Sequence, residues 1–190
     1  VKLLTVGAAG VLAAMTTFGT GGMALAQQPV QPLAHQQAIV AQPEAAPPSQ
    51  QDRNWMTENA QTDLAEITVG QLAAQKGGSQ AIKQAGQTLA NDHRQALTQL
   101  QQLAKSMNVP LPSSPNQMQQ QQAQQLKGAS GANFDQTFLR TQIQDHQTSI
   151  NNTQQELKSG SNPQVKQRAQ QYLPVAQKHL QMLQADQKRR

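Results

Sequence analysis

The chain contains no cysteine. That absence excludes a disulfide scaffold, thiolate metal ligation, a Cys nucleophile and a lipid-anchored N-terminal cysteine. Aromatic residues are nearly as scarce, with one Trp, one Tyr and three Phe. Their scarcity, with that of β-branched residues, argues against a sheet protein and leaves nucleobases almost nothing to stack on. Charged residues make up only 13% and apolar residues 36% of the 190 positions. So low an apolar share excludes a polytopic membrane protein. What the sequence has in excess is glutamine, at 39 positions. Gln forms helices about as readily as Glu or Lys but does not titrate. The glutamines therefore predict the solvent face of helices, suited to an acidic exterior.

The N-terminus reads as an export signal. Lys2 precedes an apolar run from Leu3 to Met15, and Ala24-Leu25-Ala26 has the small-x-small pattern of a cleavage site. Residues 1–26 are thus expected to be a signal peptide, with no Arg pair to suggest the twin-arginine route. The run is shorter than the ~20 residues of a membrane span. No transmembrane span is expected in the mature chain, and the protein is placed in the periplasm or at the outer membrane. Residues 27–53 form an expected disordered linker carrying Pro29, Pro32, Pro43, Pro47 and Pro48, with His35 a solvated passenger. Residues 188–190 form a basic tail. The formal net charge of +5 is spread along the chain and makes no nucleic-acid footprint.

Helical periodicity begins near Asn54. Helices are predicted over 54–76, 79–107, 133–159 and 163–187, punctuated by Gly77-Gly78, by Pro110, Pro112 and Pro115, and by Asn162-Pro163. A short, weak, Gln-rich helix over 116–127 is also allowed, and that run could alternatively support self-association. Pro174 should kink the last helix. Two short connections make two antiparallel hairpins, and residues 108–132 can run the length of the bundle between them. The fold class is therefore all-α, a ferritin-like four-helix bundle over 54–187 with a long crossover between its second and third long helices.

Three histidines interrupt the apolar stripes. The second helix repeats apolar residues at Ile82, Ala85, Leu89, Ala96, Leu100, Leu103 and Met107, and His93 fills the missing step. His146 does the same between Ile143 and Ile150, and His179 between Ala176 and Leu183. His93 and His146 fall at the midpoints of their helices, His179 just past its own, and Glu66 near the middle of the first helix. Antiparallel helices of similar length bring their midpoints into one layer. Buried imidazoles and a carboxylate cannot stay unpaired, at a cost of ~1–3 kcal/mol each. Either Glu66, His93, His146 and His179 hydrogen-bond one another, or they hold one divalent metal ion (Zn, Fe, Mn or Cu). Asp92 and Asp145, beside two histidines, point ~100° away along the helix and suit outer partners of the ligands. Asp63, one turn before Glu66, is a further oxygen donor.

The run Ala65-Glu66-Ile67-Thr68-Val69-Gly70-Gln71-Leu72-Ala73, then Asn91-Asp92-His93, Phe134-Asp135, Asp145-His146 and Leu173-Pro174 through His179-Leu180, resembles the bacterial exported family called domain of unknown function 4142. The resemblance covers about residues 54–185. It implies a ferritin-like bundle in the envelope, outer-membrane labelling of members, and no established activity. It carries Glu66, His93, His146 and His179 over as the positions of interest. Di-iron ferritins place a Glu three residues before each of two helical histidines; here those positions hold Ala90, Ile143 and Ala176. The leading expectation is a binding or structural module with a mononuclear site. The alternatives are a metalloenzyme handling peroxide or oxygen, and a metal-free stress protein with a hydrogen-bonded histidine core.

Overall fold

The computed structural model describes residues 46–189. The expected signal peptide and most of the linker lie outside them. Five α-helices, and no strand, make up the described residues: α1 (Gln50–Lys76), α2 (Gln80–Ser106), α3 (Gln117–Gly128), α4 (Gly131–Ser159) and α5 (Pro163–Lys188). α1 begins four residues before the expected boundary, inside the segment read as linker. Ser49 and Asp52 close a capping box there, each side chain bonding the other's backbone N–H. The Pro-rich stretch that masks this signal ends one residue earlier, at Pro48.

α1 and α2 pack as one antiparallel pair, α4 and α5 as another. α1 also packs on α4, and α2 on α5. One apolar cluster joins Trp55, Met56 and Ala60 to Leu100 and Ala104 of α2, Ile150 of α4, and Val165, Ala169 and Tyr172 of α5. The other joins Val69 and Ala73 to Ile82 and Leu89, Phe134, Phe138 and Leu139, and Leu183. The first cluster therefore sits at the end of the bundle where α1 and α5 start and α2 and α4 finish. α2 and α4 run parallel, so residues 107–130 cross from one end to the other as expected. α3, with an Asn116–Gln119 capping box, lies on that path and packs on α1 and α4. The bundle thus has a fifth short helix beside its four long ones. α5 continues unbroken through Pro174.

Two ties fix the ends. The Asp52 carboxylate accepts hydrogen bonds from the backbone of Ser161 and Asn162 at 3.1 and 3.2 Å, binding the start of α1 to the α4–α5 turn. Asp135 accepts from the Gly78 N–H at 2.9 Å, binding the start of α4 to the α1–α2 turn. Between α1 and α2, Gly70 and Gly86 meet backbone to backbone. A Cβ on Gly86 would lie 2.6 Å from the Ala74 nitrogen, so only glycine permits this approach.

The glutamines lie where the sequence placed them. Among the described residues only Gln142 is buried; every other Gln is exposed or half-exposed. No described helix is long and apolar enough to cross a membrane.

Candidate metal centre

Between the two apolar clusters each long helix turns polar inside. α1 buries Asn59, Asp63 and Glu66; α2 buries His93; α4 buries Gln142, His146 and Ser149; α5 buries His179. The three imidazoles are each 1–2% exposed. Their ring centroids lie 5.3 to 5.7 Å apart. One ring nitrogen from each falls within 4.8 Å of the others, the only such potential metal-binding group among the described residues.

The proton assignments follow from the partners outside this group. His146 Nδ1 lies 2.9 Å from the Gln142 backbone carbonyl, which can only accept, so Nδ1 carries the hydrogen and Nε2 holds a lone pair. His179 Nε2 lies 2.9 Å from Oδ2 of Asp92, a half-exposed carboxylate. His179 donates there, which leaves its Nδ1 as an acceptor. That Nδ1 faces His146 Nε2 at 3.3 Å. Two lone pairs thus confront each other with no hydrogen between them. The third inward nitrogen, Nε2 of His93, is buried without any partner. On its outer side His93 Nδ1 meets Asp63 Oδ1 at 2.7 Å.

Electrostatics keeps the group uncharged. Burial lowers His146 to a pKa of about 3, helped by His93 and His179. Burial likewise brings His93 down to about 4, against the pull of Asp92. Burial also lowers His179, with His93 adding to it and Asp92 opposing. On the other side of the His93 pair, burial holds the Asp63 carboxyl well above the usual carboxylate range, opposed by Arg168 and His179. Arg168 is itself buried, donating to the Ala96 carbonyl at 3.1 Å. Asp63 and His93 are therefore each held neutral across their 2.7 Å contact. A cation among the inward nitrogens would draw Asp63 into its carboxylate form, the usual orienting partner of a metal-bound imidazole.

Glu66 stands apart from this group. It is buried, and Gln142, with its amide nitrogen turned to the carboxyl, donates to both oxygens, at 2.9 Å for Oε1. Burial, followed by the neighbouring acids Asp145 and Asp63, pushes its pKa well up, and Gln142 partly opposes this. Asp145 is half-buried on the α1–α4 side, where it lines a cleft together with Glu66. Of the three flanking aspartates, Asp63 and Asp92 hold imidazoles and Asp145 does not. Sequence reasoning missed Gln142, Arg168 and Asn59. Gln142 carried a signal, since it stands one helical turn before His146, and Arg168 another, since it falls on the α5 stripe between Val165 and Tyr172.

An all-helical bundle with three neutral imidazoles aimed at one point is the class of protein so defined. The family model described as Domain of unknown function (DUF4142) matches residues 37–185, and the chain belongs to that family. Among solved structures it is similar to a DUF305 fragment from Deinococcus radiodurans, with TM-score 0.67 and 14% identity over 76% of this chain and 99% of that one. It is also similar to CopM in its Cu(I)-bound form, with TM-score 0.59 and 18% identity over 72% of this chain and 96% of that one. At such identities the likeness is one of fold. A sequence search of curated proteins finds no match.

Proposed function

We propose that this is an exported envelope protein that binds one copper ion through His93, His146 and His179. The observation that carries the reading is the 3.3 Å approach of two imidazole nitrogens that both lack a hydrogen, with a third partnerless nitrogen beside them. Hydrogen bonding within the trio cannot relieve this without a further proton, and burial opposes that proton. A metal ion relieves it directly. Two nitrogens at ~2.0–2.1 Å from one tetrahedral ion stand roughly 3.3 Å apart.

The donor set selects the ion class. Imidazoles suit copper and zinc, whereas manganese and magnesium prefer oxygen donors. The buried carboxyl of Glu66 pairs with Gln142 and stands outside the converging imidazole group. A monovalent ion also costs less to desolvate in a neutral, buried site than a divalent one. Cu(I) meets both conditions, and CopM, a similar fold, is known in a Cu(I)-bound form. Asp63 and Asp92 then fix the ring orientations of His93 and His179, and the Gln142 carbonyl that of His146. Export rests on Lys2, the apolar run and Ala24-Leu25-Ala26.

The test is metal analysis of protein purified without added metal, followed by Cu(I) titration against a chromophoric chelator. The expected result is one copper per chain, abolished in His146→Ala and His179→Ala. Absence of bound metal, together with no thermal shift on adding Cu(I) or Zn(II), would overturn the site.

A further inference from the structure

A second site, independent of the imidazole group, lies on the other side of Gln142. Residues of α1, α3 and α4 line a cleft there of about 400 Å³. Its charged lining consists of Glu58, Glu66 and Asp145, with no Lys, Arg or His. In a chain with a formal net charge of +5, such segregation of acidic groups works against the overall balance. The remaining wall is rich in amide and hydroxyl groups, which include Asn59, Thr62 and Gln122.

Two buried groups in this cleft call for a donor. Asn59 is 4% exposed, and its Oδ1 has no hydrogen-bond partner. A buried amide oxygen left unpaired costs roughly 1–3 kcal/mol, which a bound N–H would recover. Glu66 is 2% exposed, and both its oxygens are reached only by the single Gln142 amide nitrogen. A carboxyl group offers more acceptor capacity than one amide fills, so donors can still be accommodated there.

The spacing indicates the shape of the ligand. The three carboxylates do not converge as a metal-ligating group; among the described residues only the three histidines do. Glu58 and Glu66 are eight positions apart on α1, which at 1.5 Å per residue is about 12 Å along the axis. Asp145 stands on the opposite wall, on α4. A single compact cation cannot satisfy groups so separated. A chain with ammonium groups at intervals can, its methylenes lying along Val69, Leu126 and Met118.

We propose that this cleft binds a linear aliphatic polyamine, with one ammonium seated between Glu66 and Asn59 and the others toward Asp145 and Glu58. An ammonium seated there would draw the Glu66 carboxyl into its carboxylate form, making it the anchor, with Asn59 Oδ1 the neutral acceptor. Gln142 links the cleft to the histidines, since its side chain holds Glu66 while its carbonyl holds His146.

The full chain titrated with spermidine in a calorimeter at low ionic strength tests this. Saturable one-to-one binding is expected, weakened about tenfold or more in Glu66→Gln, because charge-assisted hydrogen bonds to a buried carboxylate are the strong ones. Gln can still pair with Gln142, so the melting temperature and metal content should stay as in the wild type. Should Glu66→Gln fail to fold, Asp145→Asn on the opposite wall is expected to weaken spermidine in the same sense. No saturable binding, or binding that neither variant weakens, would overturn the proposal. So would Mg²⁺ saturating the cleft in place of spermidine. Copper binding is read separately through His146→Ala, so either site can fail without the other.

Discussion

The two apolar clusters and the polar layer between them are built from the same four helices, yet they obey different rules. In the clusters, Leu100, Leu89, Phe134 and Phe138 are fully buried and satisfied by contact alone. In the layer, buried polar atoms are satisfied pairwise, and Asn59, Asp63, His93 and Arg168 each leave one atom without a partner. The clusters hold the helices in register. The layer uses that register to aim imidazole nitrogens at one another, at some cost to the stability of the metal-free protein.

The sharpest way to separate the two is to empty one cluster. Phe138→Ala should cost about 3–5 kcal/mol of unfolding free energy, measured by urea denaturation, with one copper per chain retained. A fall in both together would merge the cluster and the layer into one unit. Next in size is the outer partner of His93. Asp63→Asn should weaken copper about 10–100-fold in chelator competition, with little change in the metal-free melting curve. Removing an imidazole altogether has the smaller structural effect: His146→Leu should abolish copper yet leave the metal-free stability within ~1 kcal/mol of wild type, since an unsatisfied polar group is exchanged for an apolar one. A loss of several kcal/mol would show that hydrogen bonds, not a missing ion, satisfy the layer.

The smallest effect concerns the capped end next to the first cluster. Burial works to raise the Asp52 carboxyl, but hydrogen bonds from Ser49, Glu156 and Asn162 bring it down to about 2 from 3.8. Its stabilising contribution is complete above pH 3.8 and is lost as pH falls through about 2. Burial, then the neighbouring Asp52, raises Glu156 from 4.5 to about 7. Its contribution is complete below pH 4.5 and is lost as pH rises through about 7. The pair therefore favours mildly acid conditions. Calorimetric melting should show a decline between pH 4.5 and 7 that Glu156→Gln flattens. An unchanged decline in that variant would place its origin elsewhere.

The helices and the histidines were legible in the sequence because α2 and α5 carry regular apolar stripes with one gap each, and α4 a similar stripe in which His146 fills one gap and Thr153 another. α1 was not legible in the same way. Its buried line runs Asp52, Met56, Asn59, Asp63, Glu66, Gly70 and Ala73, helical in spacing but mostly polar or small. Hydrophobic periodicity does not single this line out, because Leu64 and Ile67 lie on a flank that is only partly buried. The pairing of Asp63 with His93, and of Asp92 with His179, depends on which helices are neighbours, which no local pattern encodes. Glu66 shares the midpoint layer, as its position implied, but it faces α4 and the cleft. Midpoint arithmetic fixes height along the bundle and leaves the direction of a side chain open.

X-ray absorption at the copper edge of the Cu(I)-loaded full chain tests the central claim most directly. The expected spectrum shows one ion with imidazole nitrogens alone as its protein ligands, at ~2.0 Å, and the signal disappears in His93→Ala, His146→Ala and His179→Ala alike. A shell of sulfur from methionine, or the same spectrum in all three variants, would contradict a metal centre built from the buried histidines.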